Sequence, residues 1–177
     1  MINNFSFDLL GKGDLDKTLE LRNQDQTREA SFNKDLITRD DHYRYFDYLA
    51  KTDFYHYYVL RYREQFIGVG YGKDFDQKEK SCTWGFFTDT NIKSKIKFGT
   101  ILKFFLFEKL FSINIVDQLR CQVLKEFEWI KDWHIRWAHT LINYDDSEKF
   151  FNLRLLKKDW EKISKEKYSE VFLNKKL

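Results

Sequence analysis

Apolar and polar positions change their period several times along the chain, and each change marks an element. Phe5 to Leu10 reads as a strand. Gly11-Lys12-Gly13-Asp14 turns into a helix, with Asp14 as its N-cap, running through Leu15, Leu19 and Leu21-Arg22-Asn23. Gln24 to Lys34 shows no apolar period and is expected to be a loose polar segment. Thr38 or Asp40 caps a second helix, in which His42, Tyr45, Phe46 and Leu49 recur at helical spacing. The period then falls to two. Tyr55 to Arg61 and Gln65 to Gly72 flank the turn-like Tyr62-Arg63-Glu64, and Lys80 to Thr88 completes a three-stranded antiparallel meander.

The second half begins with a strong helix, Thr100 to Phe111. Ile101, Leu102, Phe104, Phe105, Leu106 and Leu110 form a wide apolar stripe, and Lys103, Glu108 and Lys109 are expected on its polar side. Gln118 to Leu124 is a short strand. Glu126 to Trp137 reads as a helix with Phe127, Ile130, His134 and Trp137 along one side. Leu141 to Tyr144 and Lys149 to Leu155 predict a closing hairpin, and Lys157 to Tyr168 a polar terminal helix. The order β-α-α-β-β-β-α-β-α-β-β predicts an α+β fold in which a central helix follows an antiparallel meander. With no repeat and no linker composition, residues 1–177 are expected to form one domain.

Composition narrows the function classes. Aromatic residues make up 19% of the chain, with 18 Phe and 10 Tyr, so the core is expected to be built on rings. The 31 Lys and Arg against 28 Asp and Glu leave a net charge of +3, too weak to argue a nucleic-acid partner. The basic tail from Lys162 to Lys176 reads as a solvated helix end. Cys82 and Cys121 have no zinc-type spacing, so no metal is expected and both read as buried free thiols. Those thiols, together with a start that lacks the charge and apolar core of a secretion signal, point to the cytoplasm. The apolar run from Ile101 to Phe107 is too short to span a bilayer, so no membrane partner is expected.

The chemistry-bearing feature is the helix start Ile96-Lys97-Phe98-Gly99-Thr100-Ile101-Leu102. The first amides of a helix lack intrahelical partners and make an anion site. Gly68, Gly70 and Gly72 share one strand face, where either something packs closely or the strand bends. Their G-x-G-x-G spacing with no helix after it is not a dinucleotide fingerprint.

Four stretches, taken in order, carry a resemblance. Leu21-Arg22-Asn23 followed by Arg28 is similar to a "Trp-Arg-Asn…Arg" stretch. His42 in Asp41-His42-Tyr43-Arg44-Tyr45-Phe46 matches "His-x-x-(aromatic)". Phe66-Ile67-Gly68-Val69-Gly70 with Thr83-Trp84-Gly85-Phe86-Phe87 matches "Ile-Gly…(Trp/Phe)-Gly-(aromatic)". Ile96 to Leu102 with Val123-Leu124 and the helix that follows matches a coenzyme-binding core. Over roughly residues 5 to 160 the chain resembles the GNAT (GCN5-related N-acetyltransferase) superfamily. Within it the chain is most similar to aminosugar N-acetyltransferases of the pseudaminic-acid pathway and to ribosomal-protein acetyltransferase-type sequences.

The resemblance implies a central, mixed, mostly antiparallel sheet of about seven strands flanked by helices. It implies acetyl-CoA as co-substrate and a primary amine of a small molecule, such as a nucleotide-linked aminosugar, as acceptor. In the family the pyrophosphate lies on a Q/R-x-x-G-x-G/A loop. Here Gly99 is the second glycine, Lys97 replaces the first, Ser94 takes the leading position, and Lys93, Lys95 and Lys97 are expected to supply charge. Trp84 to Thr88 matches the strand that offers backbone N–H groups to the thioester and pantetheine. Phe86, Phe87, Thr88, Lys95, Lys97, Phe98, Gly99 and Thr100 are thereby assigned to the coenzyme, and Arg22, Asn23, His42 and Trp84 to the acceptor.

The family's proton donor is the tyrosine of "Asn-x-x-(Ala/Ser)-x-x-x-Tyr-x-x-x-Gly-Phe". Aligned on Trp137-Ala138-His139, that motif puts Phe127 at the asparagine, His134 at the tyrosine, Ala138 at the glycine and His139 at the phenylalanine. A shift by one puts Trp133 at the tyrosine instead. An imidazole of pKa about 6.5 can protonate a thiolate of about 8.5, which makes His134 the expected catalytic residue. Two other readings stay open: a GNAT-fold binding or scaffold protein without turnover, favoured by Lys97, Phe127 and Ala138 at motif positions, and an acetyltransferase of protein amines. The oligomeric state is open.

Overall fold

The period-two segments become strands in the computed structural model, which describes residues 2–52, 55–143 and 149–173. β1 (Phe5–Leu9), β2 (His56–Tyr62), β3 (Gln65–Asp76), β4 (Ser81–Thr88), β5 (Gln118–Leu124), β6 (Thr140–Asn143) and β7 (Phe150–Leu156) form one sheet in the order β1-β2-β3-β4-β5-β7-β6. Neighbours are antiparallel except β4 and β5, which run parallel. The helices are α1 (Leu15–Arg22), α2 (Asp25–Glu29), α3 (Arg39–Leu49), α4 (Phe98–Phe111), α5 (Glu128–Ile135) and α6 (Lys157–Tyr168). This is the expected α+β architecture, a mixed and mostly antiparallel seven-stranded sheet flanked by helices.

Two ring-rich cores lie on the two faces. Leu15 of α1 and Phe46 and Leu49 of α3 pack with Tyr57, Val59 and Val69 on one face. The larger core gathers α4, Trp137, Trp160 of α6 and the inward residues of β4, β5 and β7. Thr38 caps α3, its hydroxyl accepting the Asp41 N–H at 3.1 Å. Both cysteines are free and buried, and burial pushes each thiol up to about 12.

α4 sits directly on the glycine stripe of β3. A Cβ at Gly70 would come within 2.9 Å of Leu102 Cδ2, and one at Gly72 within 2.6 Å of Leu110 Cδ2. The missing methyls are what let helix and sheet approach. So closely seated, and covered by α5 and α6 as well, α4 has little polar side. Lys103, expected among solvated positions, is wholly buried.

Other boundaries also differ from the sequence reading. The polar segment after α1 contains α2, held by an Arg28–Asp25 ion pair at 2.5 Å. β3 runs four residues beyond Gly72. The helix expected from Glu126 begins instead as a 3-10 turn, Lys125–Phe127, because Phe127 (φ −109°, ψ 49°) leaves the helical region before α5 starts. β6 ends at Asn143, and Tyr144 lies outside the described residues.

One feature of the sheet positions everything that follows. β4 and β5 pair only over Ser81–Thr83 against Gln118–Arg120. Beyond that seam β4 stays paired with β3 up to Thr88, and β5 with β7 up to Leu124, but not with each other. The sheet therefore parts, leaving the Trp84–Thr88 and Cys121–Leu124 edges without a strand partner across the gap. Unpaired main-chain donors and acceptors along such an edge form a template for an extended ligand.

Candidate active site

At the mouth of the parting stands the N-terminus of α4. Lys97 is its N-cap residue, and no side chain caps the helix. The Lys97 carbonyl accepts N–H groups from Thr100 and Ile101 at 3.0 and 3.2 Å, while Ser94 Oγ accepts the Ile96 N–H at 3.0 Å. No acidic residue lies in the first turn. Lys93, Lys95 and Lys97 are exposed and have no ion-pair partner among the described residues. A positive helix end and three free cations together attract a polyanion. A Cβ at Gly99 would lie 3.3 Å from the Phe86 ring, so Phe86 packs on this first turn. The Phe98 side chain is taken up by ring contacts with Phe5 and Tyr62, and its contribution to the mouth is backbone only.

Along the β4 edge Trp84 is buried, while Phe86, Phe87 and Thr88 are half-buried. Trp84 and Phe86 turn to the α4–α5 face, their rings parallel to within 6° at 6.1 Å. Phe87 turns the other way and joins the core under α1 and α3.

Beneath the parting lies a polar cluster enclosed by rings. Lys103 Nζ on α4 is 2.8 Å from His134 Nδ1 on α5. Nζ also lies over the rings of Trp133 (4.1 Å), Trp137 (4.7 Å), Phe107 (5.6 Å) and Trp84 (5.7 Å). The His134 ring stands edge-on to Trp84 at 5.1 Å and beside His139 at 5.1 Å. Burial, the Lys103 charge and His139 hold His134 well below the ordinary imidazole pKa. His139 Nδ1 donates to the Trp137 carbonyl at 3.1 Å, and its buried Nε2 has no partner. Burial and Lys103 push His139 down to about 3. Burial also pushes Lys103 down, and no carboxylate pairs with it among the described residues. Trp84 Nε1 is buried beside the Cys121 thiol, which it hydrogen-bonds weakly.

α5 closes with a double backbone lock. His139 N–H donates to the His134 carbonyl at 3.2 Å and Ala138 N–H to that of Ile135 at 3.0 Å. Ala138 occupies the left-handed position of this motif, at φ 59°, where glycine is favoured. It is the residue that the resemblance aligns with the family's glycine. Trp133 and His134, the two residues at the tyrosine position in the two registers, both contact Lys103. Phe127, at the asparagine position, packs against the larger core.

The four acceptor-side residues do not all come together. Trp84 is at the parting, but Arg22, Asn23 and His42 lie toward α1 and α3. Arg22 Nη2 donates to the Asn33 carbonyl at 2.9 Å, and Asn23 exchanges two 2.9 Å bonds with the backbone of Ile37. With Arg28, which donates to the Lys34 carbonyl at 2.9 Å, they fix the segment between α2 and α3. His42 Nε2 is 2.9 Å from the Leu15 carbonyl and buried, which lowers its pKa. This bond fastens α3 to α1. The fixed segment and the end of β5 line a shallow cavity of about 470 Å³, bounded by Ser31, Phe32, Lys34, Leu124, Glu126 and Phe150. Among the described residues no His, Cys, Asp or Glu group is placed to hold a metal ion, and no helix is long and apolar enough to cross a membrane.

Sequence reasoning named His134 and Trp84 but missed Lys103. With Glu108 and Lys109 exposed on the same helix, nothing in the sequence set Lys103 apart from them.

No family model matches the sequence, and no curated protein matches it. Solved structures do match. Spermidine N-acetyltransferase from Vibrio cholerae, in complex with CoA and spermine, superposes with a TM-score of 0.79 at 12% identity, over 90% of this chain and 99% of that one. The N-acetyltransferase PseH of Campylobacter jejuni gives 0.65 at 18% identity, over 87% and 99%. Ribosomal-protein-alanine N-acetyltransferase from Brucella melitensis gives 0.69 at 13% identity, over 85% and 99%. At these identities the likeness establishes a shared fold, that of the GNAT acetyltransferases.

Proposed function

We propose that this protein is a GNAT-type N-acyltransferase that uses acetyl-CoA and acts on a primary amine of a small molecule. The observation that carries the reading is the parting of β4 from β5, with the uncapped, lysine-flanked N-terminus of α4 at its mouth. The residues fit the co-substrate. Lys93, Lys95, Lys97 and the first amides of α4 would hold its phosphates, and the free β4 edge from Trp84 to Thr88 its extended arm. When bound, it supplies an activated acyl group on sulfur.

For the acceptor we favour an anionic amine such as a nucleotide-linked aminosugar over a polyamine. Arg22 Nη1 and Arg28 Nε are buried cationic donors without partners, beside the segment that lines the acceptor-side cavity. Phe32 and Phe150, in edge contact at 4.8 Å, offer ring surface to a sugar or base. Cations near the acceptor repel spermidine-like substrates and attract phosphate.

Calorimetry with acetyl-CoA, followed by thiol release over a panel of aminosugar nucleotides, polyamines and peptides, tests this reading. Micromolar binding of acetyl-CoA and release with an aminosugar nucleotide are expected. Absence of acetyl-CoA binding removes the enzyme reading. Binding without release on any amine leaves a GNAT-fold binding protein.

A further inference from the structure

We propose that Lys103 is a positioning residue behind His134: it fixes the imidazole with its proton on Nε2 and replaces the proton that Nε2 gives to the leaving sulfur. This rests on the acyl-transfer reading above.

The charge on Lys103 sets the tautomer, since the 2.8 Å contact alone assigns no donor. An ammonium group only donates, so the 2.8 Å contact makes His134 Nδ1 an acceptor, and the neutral ring then carries its proton on Nε2. Protonating His134 as well would place two cations 2.8 Å apart in a buried site, so the pair holds a single extra proton. Lys103 is the group suited to keep it. Four ring faces between 4.1 and 5.7 Å surround Nζ and favour an ammonium.

The other charged and titratable groups near Nζ act in both directions. Cys121 of β5 favours the charge on Lys103 only as a thiolate, which burial disfavours, whereas Lys167 of α6 and Arg136 after α5 oppose it, and the Lys103 charge in turn lowers His139. Burial weakens the hold of Lys103 on its proton, which suits a donor. Packing alone does not call for a lysine here, since a buried apolar chain of similar length avoids the desolvation cost.

During transfer the amine nitrogen bonds the acyl carbon and the carbon–sulfur bond breaks, its electron pair staying on sulfur. Nε2 gives its proton to that sulfur while Nδ1 takes one from Nζ, which leaves Lys103 neutral and the ring in its other tautomer. The proton shed by the amine nitrogen enters solvent, and uptake of one proton from solvent restores the pair.

The test is ¹⁵N-histidine NMR of the full chain near neutral pH, alongside kinetics of Lys103→Met. In the wild type, His134 is expected to show an unprotonated, hydrogen-bonded Nδ1 and a protonated Nε2. In Lys103→Met that preference is expected to disappear. Its kcat should fall roughly 10- to 100-fold, its KM for acetyl-CoA should stay within about twofold, and the alkaline limb of kcat should move to lower pH. A proton on Nδ1 in the wild type overturns the proposal, as does a Lys103→Met enzyme with an unchanged tautomer and pH profile. If Lys103→Met does not fold, the wild-type spectrum decides by itself. A wild type that neither binds acetyl-CoA nor releases thiol overturns the acyl-transfer reading and the sulfur step with it, while the spectrum still decides the positioning of His134.

Discussion

On the α1–α3 face the polar side chains hold main chain. Arg22 bonds Asn33, Asn23 bonds Ile37 twice, Arg28 bonds Lys34 and His42 bonds Leu15. On the α4–α5 face the central pair, Lys103 and His134, is joined side chain to side chain, with His139 Nε2 beside it unpartnered. A side chain anchored on a carbonyl fixes a segment and gains nothing by changing its protonation. Two titratable groups facing each other in a dry site share protons, and unsatisfied neighbours are retained there at a cost in stability. The motif-like stretches around Arg22 and His42 thus fall where the molecule is built. The buried Lys103–His134 contact falls where the motif is least well kept.

The sharpest way to break this contrast is to remove one histidine from each cluster. His134→Ala is expected to lower the rate of thiol release by roughly 10²- to 10⁴-fold, read under saturating acetyl-CoA. His42→Ala is expected to cost about 1–3 kcal/mol in urea unfolding, from the lost tie between α3 and α1 and the space left by the buried ring. A rise in acceptor KM larger than the loss of folded protein would move His42 back to the acceptor side.

Acidification probes both clusters together. His42, His134 and His139 all have folded pKa values below the unfolded imidazole value, so below about pH 6.5 the unfolded chain binds more protons than the native one. Stability is therefore fully present above that pH. It falls as pH drops, by about 1.4 kcal/mol per unit for each such histidine, and for His139 the loss continues toward its folded value of about 3. Urea unfolding at pH 7 and pH 5 measures the slope, and His139→Phe should flatten it. A slope that is the same in both proteins would mean that His139 is not held neutral.

The smallest expected effect is a gain. Ala138→Gly relieves a left-handed alanine and should raise stability by about 1 kcal/mol without displacing His134, checked by thermal unfolding and the His134 NMR signals.

Much of the frame was legible in the sequence. Alternation marked β2, β3 and β4, Thr38 was one of the two caps offered for α3, and the apolar run of α4 was plain. α2 was not legible, because Asp25–Glu29 buries only Thr27 and carries no apolar period. Trp84, Gly99 and His134 were named from the sequence, and the structure brings them around one parting through Phe86. Lys103 was hidden by its own surroundings: in a helix seated on the β3 glycines and roofed by other helices, periodicity cannot say which side is wet. The parting of β4 and β5 is a main-chain event with no side-chain signature.

That parting also has a mechanical side. The seven-stranded sheet is two panels, β1–β4 and β5–β7, fastened by three residues on each strand. Beyond that seam the two panels are held by the shared core, in which Trp84, Phe107, Trp133 and His134 press on one another. The width of the slot and the alignment of the Lys103–His134 pair are thus governed by the same few rings. A substitution that thins these rings is expected to change the slot and the Lys103–His134 contact together.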